Sequence, residues 1–181
     1  MSKSALAVVI GLCACAPAFA TTIDFENGSV SGGQIESDGF RFYGTSGVGP
    51  ELYNLSAPNS TTSLHVITYQ TSTYVMEAIS GDSFSLDSLD AISLGSGIFM
   101  TGFYAAGGTV QFNVGYPAEW TSFDLDSSWN ALERVEFSMG GDGFGASIDN
   151  LVVTAVPVPA AVWLFGSALA GLGWMRRKQT A

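Results

Sequence analysis

Through the middle of the chain, apolar residues alternate with polar ones over short runs, the period of a strand with one face buried. The alternation predicts strands at Thr22–Phe25, Phe40–Tyr43, Leu64–Tyr69, Tyr74–Ile79, Ser83–Leu86 and Ala91–Leu94. It continues at Ile98–Tyr104, Val110–Val114, Thr121–Leu125, Leu132–Met139 and Ala146–Val153. Turn signals separate most of them: Asn27-Gly28, Gly32-Gly33, Ala106-Gly107-Gly108 and Gly140-Gly141-Asp142-Gly143. Phe103 and Tyr104 before the Gly107-Gly108 turn predict a hairpin onto Thr109–Val114. In the strand that follows, Glu133, Val135 and Phe137 share one face, and the last two nominate it for the core. Only Ser128–Glu136 has the spacing of a short helical turn, through Trp129, Leu132 and Val135. Many short strands with glycine-rich turns and no helical period predict an all-β domain, a β-sandwich or jelly roll, spanning residues 21–155.

The two ends follow other rules. Residues 1–20 carry Lys3, then an apolar run over Ala5–Ala16, then Ala18-Phe19-Ala20. Basic residue, short apolar run and small-x-small site are the order of a secretory signal peptide, with Ala18 and Ala20 at the signal peptidase site. An uncleaved anchor, and a lipoprotein signal from the partial lipobox resemblance of Leu12-Cys13-Ala14-Cys15, are the alternatives. At the other end, residues 156–181 hold Val156-Pro157-Val158-Pro159, an uncharged apolar stretch over residues 160–175, and Arg176-Arg177-Lys178. As a helix the stretch rises ~24 Å at ~1.5 Å per residue, enough to span a bilayer core with help from its flanks. The basic cluster is the stop expected on the cytoplasmic side. Both ends therefore place the middle domain outside the cytoplasm.

Charge sharpens the picture. All 16 acids of the chain lie between Asp24 and Asp149, and only Arg41 and Arg134 accompany them, a net near −14 for the domain. Such a surface repels nucleic acid and anionic membranes and suits cations. Both cysteines, Cys13 and Cys15, fall in the signal, so the mature domain has no disulfide and no thiol chemistry.

The C-terminal order of Val156-Pro157-Val158-Pro159-Ala160-Ala161-Val162-Trp163-Leu164-Phe165-Gly166-Ser167, small apolar residues and Arg-Arg-Lys resembles a PEP-CTERM sorting signal. It departs from that pattern at Val158, where the name-giving motif has Glu. The resemblance implies recognition by an exosortase, a membrane protease–transpeptidase. It also implies release or attachment at the surface of Gram-negative bacteria that make exopolysaccharide. The processing partners are then exosortase and signal peptidase, with an intermediate held in the inner membrane by the C-terminal helix.

Catalysis has little support in the sequence. His65 is the only histidine, and alternation sets it opposite Leu64 and Val66, on the solvent side. Gly81-Asp82-Ser83-Phe84-Ser85-Leu86-Asp87 has the flavour of a GDSL hydrolase block, but that class places its histidine near the end of the chain, and here it precedes the serine. The strand-like context also lacks the strand–turn–helix such a serine needs. Ile23-Asp24-Phe25-Glu26 at the start and Ile148-Asp149-Asn150 at the end resemble carbohydrate-binding-module jelly rolls, in which a structural Ca²⁺ staples the first and last strands. That resemblance implies Glu26 and Asp149, with Asp24, as calcium ligands. Tyr116 and Trp120, flanking Pro117, are the aromatic candidates for stacking on a sugar. The expectation is an exported, non-enzymatic surface or biofilm-matrix protein that binds exopolysaccharide or matrix partners. A membrane-held glycan-active enzyme and a purely structural or adhesive subunit stand beside it.

Overall fold

The computed structural model describes residues 19–45, 50–53, 62–66, 73–140 and 145–156. The signal segment before Phe19, Pro157–Pro159, the apolar stretch 160–175 and Arg176–Lys178 lie outside the described residues. No helix among the described residues is long and apolar enough to cross a membrane.

The described residues of the unit Ala18–Val156 form thirteen strands: β1 Ala20–Ile23, β2 Ser29–Ser31, β3 Gln34–Ser37, β4 Phe40–Gly44, β5 Glu51–Tyr53, β6 Ser63–Val66, β7 Thr73–Ala78, β8 Phe84–Ser93, β9 Gly97–Tyr104, β10 Thr109–Gly115, β11 Thr121–Asp124, β12 Leu132–Gly140 and β13 Ala146–Ala155. Every pairing is antiparallel. One path runs β2-β3-β4-β7-β12-β9-β10 and makes a seven-stranded sheet. The second sheet is centred on β8 and β13, with β11 on the free side of β8 and both β6 and β1 along the free side of β13; β5 extends β6. A single backbone pair, Leu132 with Phe84, joins the sheets into a nearly closed sandwich.

The inner faces explain why the sheets stack. Phe42, Met76, Val135, Phe137, Met100 and Ile98 of the first sheet and Leu86, Leu89, Ala91, Ile148, Leu151 and Val153 of the second are all buried. Rings tie one sheet to the other. Phe40 meets Phe84 edge-on with centroids 5.0 Å apart, and Phe112 meets Phe123 at 6.1 Å. Burial of each such side chain stabilises by about 1.5–3 kcal/mol, and an edge-to-face pair adds about 0.5–1.5 kcal/mol.

Local chemistry sets the corners. The β2–β3 and β3–β4 hairpins turn on two residues each, Gly32-Gly33 and Asp38-Gly39, all at positive φ. That is the turn whose twist matches two antiparallel strands. Before β12 a single 3₁₀ turn, Ser127–Trp129, is capped by Asp126, which accepts from Ser128 N at 2.8 Å. Bonds from the Ser128 hydroxyl and backbone N–H hold the Asp126 carboxyl below its usual pKa. The helical spacing at Ser128–Glu136 thus marks this one turn, and β12 begins three residues after it.

Several strand boundaries depart from the alternation. Ser83–Leu86 and Ala91–Leu94 are one continuous strand, β8. The strand predicted to reach Phe25 ends at Ile23, because Phe25 takes φ +58 and turns its ring under Phe42, 5.1 Å away. A bulge between Leu132 and Arg134 pushes Glu133 to solvent, so Glu133 does not share the buried face of Val135 and Phe137.

Candidate functional site: the outer face of the larger sheet

Register across the seven strands lays the outward side chains in rows. One row runs Glu36, Arg41, Glu77, Arg134, Phe103 and Thr109 across β3, β4, β7, β12, β9 and β10. The next runs Gln34, Tyr43, Val75, Glu136, Thr101 and Gln111. A third holds Thr73, Ser138, Phe99 and Asn113. Both arginines of the domain therefore sit on this one face.

The charged side chains of the three rows all lie in the first two. Arg41 lies between Glu36, at 3.7 Å, and Glu77, at 3.6 Å. Its Nε is sealed from water and has no hydrogen-bond acceptor among the described residues. Tyr43 Oη donates to Glu77 at 3.3 Å, and burial, then the Glu77 charge, raise its pKa, so the phenol stays a neutral donor. Arg134 donates from Nε to Glu136 at 3.1 Å and lays its guanidinium on the Phe103 ring, 3.8 Å from the centroid. One ring face of Phe103 is thereby occupied.

The third row opens into an uncharged half with free rings. Phe99 is 43% exposed and Tyr116 62% exposed. Gly97 explains how Tyr116 arrives there. It has the outward parity of Phe99, and a Cβ on it would stand 2.9 Å from the Tyr116 ring, so only glycine leaves room for that ring on the sheet. Thr101, Gln111, Asn113 and Ser138 surround the two rings with neutral donors and acceptors. Open aromatic faces beside uncharged polar groups fit a neutral polyhydroxylated chain: the rings take its C–H faces and the amides and hydroxyls its O–H groups.

The sequence-predicted site residues separate. Tyr116 joins this face, whereas Trp120 is half-buried directly before β11, a strand of the other sheet. Asp24 follows β1, whose pairing of Ile23 with Leu151 sets it beside the end of the domain, so first and last strands do adjoin. Asp24 accepts from Glu26 N at 3.1 Å, Glu26 accepts from Thr62 N at 2.5 Å, and buried Asp149 accepts from Asn150 N at 2.8 Å. Each carboxylate thus already serves a backbone N–H. No group of three His, Cys, Asp or Glu side chains among the described residues is placed to hold a metal ion. Val156 donates its N–H to Ser83 O at 3.1 Å, so the domain is tied down up to the first residue of the sorting motif. Ala20 is the first residue of β1, and Ala18 lies outside the described residues.

His65 requires a correction. It does point to the outer side of its sheet, but it is only 9% exposed, and its Nδ1 is 3.0 Å from Ser147 Oγ. Burial lowers its pKa, against a smaller opposing effect of the Glu51 charge. A serine beside a histidine has the spacing of an activated nucleophile. Ser147 has no exposed surface, however, so in this structure the pair satisfies two buried polar groups and meets no substrate.

Phe99, Arg41, Arg134, Glu36 and Glu77 were not singled out by the sequence. The available signal was parity: Phe99 alternates with buried Ile98 and Met100, and the only two cations of the domain fall on outward positions of strands.

Residues 155–178 match the family model described as the PEP-CTERM protein-sorting motif. The chain thus carries the mark of an exported, exosortase-processed protein. Comparison with curated proteins returns no match. Among solved structures the fold is similar to carbohydrate-binding modules of family 29. A family 29 module matches at 19% identity and TM-score 0.52, over 77% of this chain and 90% of that one. A mutant of the CBM29-2 module complexed with cellulohexaose matches at 20% identity and TM-score 0.52, over 76% and 91%. Another, complexed with mannohexaose, matches at 18% identity and TM-score 0.51, over 77% and 93%. At these identities the likeness is one of fold.

Proposed function

We propose that the domain is a non-catalytic glycan-binding module of a surface or biofilm-matrix protein, and that it holds a neutral exopolysaccharide on the outer face of its larger sheet. The observation that carries this reading is the pair of open rings, Phe99 and Tyr116, set among uncharged polar side chains on a regular strand lattice. The fold's likeness to modules seen with cellulohexaose and mannohexaose supports the ligand class. Signal peptidase and exosortase act on the two ends, and the domain reaches its partners outside the cytoplasm. Isothermal titration of the full chain with cello- and manno-oligosaccharides tests the proposal. Binding that weakens when Phe99 or Tyr116 is replaced by alanine supports it. Absence of binding to these sugars and to the producing cell's own polysaccharide leaves the structural or adhesive reading in its place.

A structural Ca²⁺ at Asp24, Glu26 and Asp149 is a separate proposal. Adjacency of the first and last strands supports it, while the bond from Thr62 N means that Glu26 would have to turn before lending that oxygen to an ion. A melting temperature that rises by several degrees in millimolar Ca²⁺ and falls back with chelator is the expected result. An unchanged melting temperature removes the ion from the account.

A further inference from the structure

We infer that β10 is an open pairing edge whose occupant is β10 of a second copy of this chain, added antiparallel. The hairpin before it fixes which backbone groups face outward. Gly107 N donates to Tyr104 O at 2.9 Å and Tyr104 N donates to Gly108 O at 3.2 Å, so Tyr104 stands at a bonded position, with Gly107-Gly108 together opposite it. Bonded and non-bonded pairs alternate along an antiparallel ladder. Gly102–Val110 and Met100–Phe112 are therefore bonded, and the N–H and C=O of Thr109, Gln111 and Asn113 point away from β9. These groups have no backbone partner among the described residues.

Chemistry distinguishes this edge from the others. Proteins ordinarily blunt an edge with charge, proline, a bulge or shortness. Strands β2 and β5 have three residues each, β1 has four, and β11 has four including Asp124. Strand β10 has seven, Thr-Val-Gln-Phe-Asn-Val-Gly, with no charge and no proline, in a domain whose net charge is near −14. A bulge at Asn113/Gly115, where Asn113 Oδ1 accepts from Gly115 N at 2.9 Å, ends the flat part after Asn113.

The segment is self-complementary. A two-fold axis through Gln111 sets Gln111 against Gln111, Thr109 against Asn113 and Val110 against Phe112. The outward-pointing residues are then the bonded ones, each pair exchanging N–H and C=O. The amides meet on the outer face, and a β-branched–aromatic pair meets on the inner one. Two seven-stranded sheets become one, and the two Phe99–Tyr116 patches lie on a continuous surface. Like charge elsewhere on the domain favours this uncharged edge as the place where two copies can approach.

The test is sedimentation of the detergent-solubilised full chain over rising protein concentration, together with amide exchange resolved to residues 109–113. A dimer whose formation slows exchange at Thr109, Gln111 and Asn113 is expected. Gln111→Pro removes an N–H that β9 does not use and should abolish that dimer. Thr109→Lys with Gln111→Lys should do the same through charge, at an unchanged melting temperature, which guards against misfolding of the proline variant. A chain that stays monomeric without concentration-dependent protection overturns the inference. So does a dimer that both variants form as readily as the parent, since its interface then lies elsewhere.

Discussion

The two outer faces of the sandwich are both polar by strand alternation, yet they differ in how far their polar groups reach water. On the larger sheet, Glu36, Arg41, Glu77, Arg134 and Glu136 pair side by side, partly exposed, and Phe99 and Tyr116 stand open. On the smaller sheet, Ser63, His65, Ser147 and Asp149 also point outward, but none is more than 9% exposed. A polar side chain in water can exchange its partner for solvent, whereas a sealed one keeps its partner or leaves a desolvated group behind. The first group is therefore free to change partners, and these four residues are spent on holding the fold.

The largest expected effect lies on the sealed face. Asp149→Ala removes the acceptor of the N–H of Asn150, which is itself held at φ +47, and should destabilise by about 2 kcal/mol or more in urea unfolding. Glu77→Ala on the open face should cost no more than about 1 kcal/mol, as exposed ion pairs do. Equal losses for the two would erase the contrast. Next, Phe99→Ala and Tyr116→Ala should each weaken oligosaccharide binding about tenfold, some 1.4 kcal/mol, with little change in melting temperature. A variant that melts early and binds normally would make these rings structural.

Acid should distinguish the faces more gently. Burial depresses the pKa of His65 in the fold below its ordinary value of 6.5. The unfolded chain takes up this proton first as pH falls. Stability that His65 contributes above about pH 6.5 is thus lost as pH drops from there through the folded value. Melting measured from pH 7.5 to 5.5 should slope downward in the parent and flatten in His65→Gln. The smallest effect is that of Arg134→Ala, which uncovers Phe103 and should cost about 0.5–1 kcal/mol for the lost cation–ring contact. An unchanged stability would make that contact decorative.

Which parts of this were legible in the sequence follows from the range of the signals. Alternation over Phe40–Tyr43, Ile98–Tyr104 and Ala146–Val153 gave strands because each buries every second residue against the other sheet. Strands β2, β3 and β5 escaped because they are three or four residues long and mostly polar, though the two-residue Gly32-Gly33 spacer announces the first of these hairpins. Alternation also names a side of the sheet without saying what covers it, which is why His65 was expected in solvent. It cannot foresee a bulge such as the one at Glu133. Of the site, Tyr116 was visible as an aromatic beside proline in a loop. Its neighbours Phe99 and the two arginines come together only through pairing of strands distant in sequence.

The pairing of the first strand with the last has a consequence for the order of events during export. Ala20 lies opposite Thr154 in the ladder, so the N-terminal strand has no partner until nearly the whole domain has been synthesised and moved across. A cut after Ala20, the expectation from Ala18-Phe19-Ala20, would meet an unpaired peptide only before β13 forms. Once β13 arrives, the same peptide becomes part of a sheet, and the time allowed for the cut has closed.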